Sequence, residues 1–483
     1  MNLPLFLPGM LSFLIICLAV LAGAAIAVFL LKYKFKYSVI RIILTVFVLV
    51  PVWPVTAYLI FYAASNAIGR AKVETQLAEM RAQGIPLDKE SILPKMPEKD
   101  SDNGAYFYKA AFGLMKVSSS CDTISKISGE YTFSNITEWS EQDRKIVRQM
   151  LATEDIKLIL NLFRQGAAKP YAVYERQYQG SGTLLPELNS QRELFRLIRI
   201  QSFCEGLDGK PESGYRLLCD GFKTINQFKS ETFLIPQLVG IACTSINIIG
   251  MNELISRYGI TEPSAQQLLV ELEKLDFNQA MIHGLDGDIM IWRDDVFERF
   301  IRGEKVPCID KLVGYPLSTD IRNMISYGSE IWPFFYQDYA YYLERMNKII
   351  SLCKKPYWTV ENEMKELKNE NKYLEYRLIT KLLTNELVNI RIKTANIESE
   401  INAAKLTLAL HIYKNEHGAF PDRLEQLAPE ILKEIPVDPI SGKPFEYQKT
   451  DGKFTLSSVW LKEKEQKRLD DAKRMKTNQA TPK

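Results

Sequence analysis

The sequence has little of what most enzymes use for chemistry. Only three histidines occur in 483 residues. His411 and His417 are six apart, so they do not share one face of a helix. Glu416-His417 does not extend into H-E-x-x-H, and there is no Walker loop, no G-x-S-x-G and no Gly-rich dinucleotide fingerprint. Those absences remove the positive case for zincin, P-loop, nucleophile-elbow and dinucleotide chemistry. The seven cysteines contain no C-x-x-C pair, which removes metal-knuckle and thioredoxin-like readings. Neither sign of charge dominates: the formal net charge is +3, too small for a nucleic-acid binder working through a broad basic surface. One group of metal-compatible side chains remains, His283, Asp286 and Asp288, in what reads as a Gly-containing turn. Imidazole and carboxylate suit a divalent ion, so this trio supports an alternative function, a membrane-anchored metal-dependent hydrolase. No cofactor is inferred and no catalytic residue is assigned.

Charge itself is missing from two long stretches. Gly9–Leu31 and Ile42–Ile68 hold no Asp, Glu, Lys or Arg, and both are rich in Leu, Ile, Val, Ala and Phe. A helix needs about 20 apolar residues to cross a hydrocarbon core of ~30 Å, so residues 1–68 read as a two-helix transmembrane hairpin, with spans at 9–31 and 42–68. Pro51 and Pro54 predict a kink in the second span, and Tyr58 and Tyr62 suit a headgroup boundary. Met1–Pro8 has no Lys or Arg, which argues against a cleaved signal peptide. The connector Lys32–Arg41 carries Lys32, Lys34, Lys36 and Arg41 and no acid. Basic short loops stay on the cytoplasmic side. The N-terminus is therefore expected outside and the large remainder of the chain outside the cytoplasm, in the periplasm of a bacterial inner-membrane protein.

Beyond the spans the pattern is mainly α. Residues 69–102 read as a helical, Pro-containing linker, and 103–358 as stacked helical hairpins. A helix is predicted over Ala105–Val117, a Ser/Thr-rich loop over Ser118–Thr137, and helix starts near Ser140 and Thr153. Leu194, Leu197, Ile198 and Phe203 form one apolar stripe and Tyr215, Leu218, Cys219 and Phe222 the next, with a tight break at Gly206–Pro211. So short a turn makes the two helices antiparallel. The pair resembles one tetratricopeptide-type hairpin, without a clean repeat period. Leu234–Ile255 is apolar but interrupted by Gly240, Asn247 and Gly250, so a buried core helix is preferred to a third span. Cys204, Cys219 and Cys243 lie in these helical patterns as buried thiols or small packing residues; disulfide pairing among the six cysteines beyond the spans is left open. The aromatic segment 332–342 reads as core.

Residues 359–460 read as a long helix followed by a small α+β module, and 461–483 as a charged, disordered tail. The helix through Ala403–Tyr413 stops at Gly418, a left-handed cap position. Phe420-Pro421 turns the chain, and Pro436-Val437-Asp438-Pro439-Ile440-Ser441-Gly442-Lys443-Pro444 makes a Pro-paced loop in which Asp438 forms the turn. Two strands, near 445–447 and 454–459, flank the turn Asp451-Gly452 and form an antiparallel hairpin. This order of Gly418, Pro421, Pro436, Asp438, Pro439, Gly442, Pro444 and Gly452 resembles the body of the major pseudopilin of type II secretion systems, over about 60 residues. More broadly, the start at Asp102-Asn103-Gly104-Ala105-Tyr106 and the block Leu238–Ala242 resemble a bacterial family of membrane-anchored helical proteins ending in this module. The resemblance implies a cell-envelope location and carries no activity. It stops short of the prepilin N-terminus, since Leu14 stands where a prepilin has its Glu, and of the pseudopilin calcium site, whose acidic Gly-rich continuation is missing after Trp460. The expected partners are the lipid bilayer and a protein of the envelope, with no nucleic acid. The expected function is a structural or protein-interaction module without catalysis.

Overall fold

The computed structural model describes residues 39–130, 136–177, 179–180, 182–302, 333–370, 377–450 and 452–467, with isolated positions at 25–26, 29, 32–33, 304 and 470. The expected first span, 9–31, and most of the connector 32–41 lie outside the described residues. The fold is mainly helical with one small two-stranded sheet. The principal helices are α1 (Val39–Ala82), α2 (Ala105–Val117), α3 (Ser119–Glu130), α4 (Glu141–Leu151), α5 (Glu154–Ala167), α6 (Leu188–Leu207), α7 (Pro211–Gln227), α8 (Leu234–Tyr258), α9 (Glu262–Glu273), α10 (Phe277–Trp292), α11 (Phe335–Cys353), α12 (Tyr357–Glu370), α13 (Leu378–Thr384) and α14 (Ile390–His417). Strands β1 (Glu446–Thr450) and β2 (Lys453–Ser457) follow. The chain divides into two compact units, Met1–Asp88 with Ile289–Ser351 and Asn362–Val388, and Lys89–Asp288 with Leu352–Glu361 and Asn389–Lys483. The units interleave along the chain, where the sequence reading had consecutive blocks at 103–358 and 359–460.

In the first unit, α1 runs unbroken through Pro51 and Pro54 and joins the second apolar stretch to the mixed-charge segment beyond Gly69. Its 44 residues span roughly 65 Å at 1.5 Å per residue. One flank of α1 is fastened to the start of α11. Ser65 donates to the Pro333 carbonyl, Gln337 Nε2 donates to Ser65 Oγ at 2.9 Å, and the Arg70 guanidinium lies 4.6 Å from the Tyr336 ring centroid. The aromatic segment is core: Phe335, Tyr339 and Tyr342 are buried, and Phe297 stacks on Tyr339 at 4.4 Å with planes 10° apart. Two charged side chains are also buried here. Arg345 donates to Thr384 Oγ1 (2.9 Å) and the Leu367 carbonyl (2.7 Å), and Asp338 accepts from the backbone N–H groups of Ile379 (2.8 Å) and Thr380 (3.2 Å). Burial pushes the Asp338 carboxyl up to about 7, against the opposing effect of those hydrogen bonds.

The second unit is a stack of antiparallel helices. α2 packs on α5, α6 on α7, and α8 on both α6 and α7; α9 lies on α7 and α14, and α14 also on α8. The predicted loop over Ser118–Thr137 is instead helical from Ser119 to Glu130. Ser118 Oγ accepts from the Cys121 N–H at 3.0 Å, and Thr123 and Ser128 return their hydroxyls to backbone carbonyls of their own helix. Hydroxyls that usually compete with a helix here cap and complete one, while Ile124 is buried against the core. Ser140 Oγ caps α4 by accepting from Asp143 N at 3.0 Å.

Among the described residues α8 is the one helix long and apolar enough to cross a membrane, and 56% of its most apolar stretch is buried. It holds the buried polar residues Gln237, Thr244 and Asn247, and its Glu253 forms a two-pronged ion pair with Arg199 of α6 at 2.5 and 2.8 Å.

The C-terminal module folds onto α14. Gly418 ends the helix with φ 76°, a left-handed conformation that costs an L side chain about 1 kcal/mol or more. β1 and β2 pair antiparallel with Thr450 opposite Lys453 and Glu446 opposite Ser457, so the chain reverses between Thr450 and Lys453, as the hairpin reading expects. The tail is ordered at its start: 459–467 is helical, with Leu461 N donating to Ser458 Oγ at 3.3 Å and Lys464 paired to Glu400 at 2.6 Å. The expectation of disorder from Leu461 onward is corrected to that extent.

Candidate functional site

The histidine–aspartate trio is not in a turn. His283, Asp286 and Asp288 all lie on α10, at relative positions i, i+3 and i+5. At about 100° per residue, Asp288 projects roughly 140° round the helix from His283. The segment is helical because its glycines serve close packing and not turning. A Cβ at Gly287 would sit 1.8 Å from the Thr232 carbonyl oxygen, and one at Gly284 would sit 3.0 Å from the Leu234 Cα. Asp286 Oδ1 is buried without a hydrogen-bond partner, and burial raises the carboxyl to about 7 despite the nearby Lys354. Burial alone lowers His283 from its ordinary value, favouring the neutral imidazole. Among the described residues no three His, Cys, Asp or Glu side chains are placed to hold a metal.

Asp438 is fixed more tightly than any of these. It is 1% exposed and accepts from Ser441 Oγ (2.8 Å), Ser399 Oγ (3.1 Å), Ser441 N (3.3 Å) and Ile440 N (3.4 Å). Its own backbone closes the loop: Asp438 N donates to the Lys443 carbonyl and Gly442 N to the Asp438 carbonyl, both at 2.8 Å. Ser399 lies 2.9 Å from Ser458 Oγ, so one buried polar knot ties the Pro-paced loop, α14 and the chain after β2. Gly442, with φ 70°, lets the loop lie against the Trp358 ring. Every oxygen of the knot faces a donor from the protein itself, which makes it a fastening.

Polar residues that no motif singled out are also clustered. Arg176 Nη2 bridges Glu187 Oε1 at 2.7 Å and Glu231 Oε1 at 2.6 Å, all three side chains being 6% exposed or less. Tyr108 donates to Gln227 Oε1 at 2.7 Å and lies 2.9 Å from Thr224 Oγ1. A surface cavity of about 280 Å³ opens between α3 and the start of α6, floored by Met115, Ile124 and Leu197. Its rim charges cancel: Lys116 and Arg196 stand with Asp122 and Glu193, and Arg196 already pairs with Glu193 at 2.5 Å.

No family model, curated protein or solved structure matches this chain.

The remaining feature is a surface. On α1 the flank that does not pack on α11 carries Trp53, Val55, Leu59, Ile60, Ala63, Ala64, Ala67 and Ile68, all exposed. From Arg70 on, the exposed positions include Arg70, Lys72, Glu74 and Glu79. An amphipathic helix in water shows polar residues on its outer face. From Trp53 to Ile68 the exposed positions of this helix are apolar apart from Thr56, and charge appears among them only from Arg70. Among the described residues Cys121, Cys204, Cys219, Cys243 and Cys353 are free thiols, and burial pushes Cys204 and Cys219 up to about 11.

Proposed function

We propose that the chain is a membrane-anchored cell-envelope protein acting as a structural or protein-interaction module. Two N-terminal helices, at 9–31 and 42–68, hold it in the bilayer, with the N-terminus outside, the basic connector 32–41 in the cytoplasm and the large helical body in the periplasm. The observation that carries this reading is the change of outer surface on α1, apolar from Trp53 to Ile68 apart from Thr56 and charged from Arg70. Residues 42–68 make about 40 Å of helix, enough to cross ~30 Å of hydrocarbon with some tilt. Hydrocarbon accepts an apolar outer face at no cost, whereas water leaves each exposed Leu or Ile side chain short of roughly 1.5–3 kcal/mol of burial energy. The C-terminal module, which resembles a pseudopilin body, is the part we assign to contact with an envelope protein. The hydrolase alternative has no assembled set of residues behind it, because α10 points His283 and Asp288 to different sides.

The test is topological. Asp100→Cys in a background with all seven native cysteines replaced should react with a membrane-impermeant thiol reagent in intact cells. The full chain should be extracted from the membrane fraction only with detergent. Labelling that needs lysis would put the body in the cytoplasm and overturn the envelope reading; recovery of the chain from the aqueous fraction without detergent would overturn the anchor.

A further inference from the structure

The cavity between α3 and the start of α6 has a floor and a rim of opposite character. Its floor is apolar, from Met115 in the last turn of α2, Ile124 of α3 and Leu197 of α6, all buried. Most of its polar lining is already engaged. Ser125 Oγ donates to Glu193 Oε2 at 3.3 Å, Arg196 pairs with Glu193 at 2.5 Å, and Asn189 Oδ1 accepts from Arg192 at 2.8 Å. Of the charged side chains that line it, Lys116 and Asp122 remain, one cation and one anion, both exposed and neither hydrogen-bonded nor ion-paired. They stand on either side of one break in the chain, Lys116 in the last turn of α2 and Asp122 in the first turn of α3. Buried Ser118 fixes that break: its hydroxyl accepts from the Cys121 N–H at 3.0 Å and donates to Asp155. The volume, about 280 Å³, is nearly twice the ~150 Å³ of a cavity that takes up benzene, which leaves room for a ring and a short polar chain.

These features select a ligand by charge. A purely cationic molecule meets Lys116 with like sign, and a purely anionic one meets Asp122 in the same way. A molecule that carries both charges finds an opposite partner for each, and its apolar body displaces water from the floor. We propose that this cavity binds a small zwitterion with an apolar body, of the class of a free aliphatic or aromatic amino acid, its carboxylate toward Lys116 and its ammonium toward Asp122. The site is separate from the membrane anchor and from the C-terminal module, and no reaction is assigned to it. Cys121, a half-buried free thiol, lines the same wall, so a seated ligand covers it. It serves as the reporter of occupancy.

The test uses the full chain in phospholipid nanodiscs, where no detergent competes for the apolar floor. L-phenylalanine is the probe. Phenethylamine and 3-phenylpropionate, which keep the ring and one charge each, are the comparisons. The rate at which a methanethiosulfonate reagent modifies Cys121 is followed by mass spectrometry of the peptide that contains it. That rate should fall with saturation as L-phenylalanine is added, about tenfold at ~10 mM for a dissociation constant of ~1 mM. Each analogue should need a several-fold higher concentration for the same protection. Lys116→Gln and Asp122→Asn should each weaken protection by L-phenylalanine about two- to fivefold, as expected for a solvent-exposed charge pair. Absence of protection by L-phenylalanine at ~100 mM would overturn the proposal. So would equal protection by either analogue, or protection that either substitution leaves unchanged. If a variant fails to fold, the comparison of the three molecules on the wild-type chain decides alone.

Discussion

Acidification should weaken the C-terminal module through a single side chain, His411. Its ring stands on α14 edge-on to Phe420 (5.4 Å, 86°) and Phe454 (5.9 Å, 68°), so it is a hinge-pin between the helix end and β2. Burial lowers its titration to about 4, with Lys414 one turn on adding to the effect. The sign follows directly. Below the ordinary value near 6.5 the unfolded chain takes up a proton that the folded imidazole refuses, so the stability present above that value is lost as pH falls toward 4. At pH 5 the full shift corresponds to about 2 kcal/mol, and to about 1 if water reaching the partly exposed ring screens half of it. With only three histidines, the Cε1–H resonances can be assigned by deletion and titrated in the full chain. The His411 resonance should stay in the neutral position at pH 5.5. Replacing the ring by Phe should reduce by about 1–2 kcal/mol the stability that hydrogen exchange over 418–457 loses between pH 7 and pH 5. A His411 signal titrating near 6.5, or an unchanged pH loss in His411→Phe, would refute the reasoning.

Three further outcomes are expected. Asp438→Ala removes the acceptor for four hydrogen bonds and leaves buried hydroxyls and N–H groups unpaired, so the module should lose roughly 2–4 kcal/mol, read as faster exchange over 436–444; Asp438→Asn, which keeps one acceptor, should lose less. Gly287→Ala brings a methyl group against the Thr232 carbonyl oxygen, where no flexible side chain can give way, and a lower melting temperature with about 1–3 kcal/mol of destabilisation should follow; an unchanged melting temperature would mean that α10 does not press on that turn. In native protein Cys121, half-buried, should react with a thiol reagent well before Cys204, Cys219 and Cys243, which should become available only on unfolding.

The helices were legible wherever an apolar stripe or a cap stood in plain sequence. Ala105–Val117, the pair either side of Gly206–Pro211, the stop at Gly418 and the hairpin about Asp451-Gly452 are periodicity and turn chemistry written locally. Composition misled at Ser118–Thr137, because a run of hydroxyl residues reads as loop until one sees that Ser118 caps the helix and Ile124 anchors it. Glycine misled at 283–288 for the opposite reason. It signals a turn when φ is positive, as at Gly418, but at Gly284 and Gly287 it marks close approach within a helix, and only a partner 50 or more residues upstream, at Leu234 and Thr232, reveals the difference. The ion cluster could not be read at all. Arg176, Glu187 and Glu231 are separated by 11 and 44 positions in unpatterned polar sequence, where each would be taken for a solvated surface charge.

Three of the buried Asx side chains, Asn103, Asp338 and Asp438, share one task. Asn103 Oδ1 accepts from Ala105 N at 3.1 Å and Val173 N at 2.9 Å; Asp338 accepts from Ile379 N and Thr380 N; Asp438 accepts from Ile440 N and Ser441 N. In each case a helix start or an irregular segment presents backbone N–H groups that no ladder can pair, and burying them unpaired would cost about 1–3 kcal/mol apiece. A short side chain with an oxygen two bonds from its backbone reaches two such donors at once, which a longer Glu or Gln does less well for want of rigidity. That requirement, and not a reaction, accounts for why these polar groups are sealed from solvent. A catalytic carboxylate keeps a lone pair turned toward a place where substrate can arrive; these spend theirs on the fold. The function proposed above, contact with lipid along α1 and with protein beyond it, therefore draws on none of these three side chains.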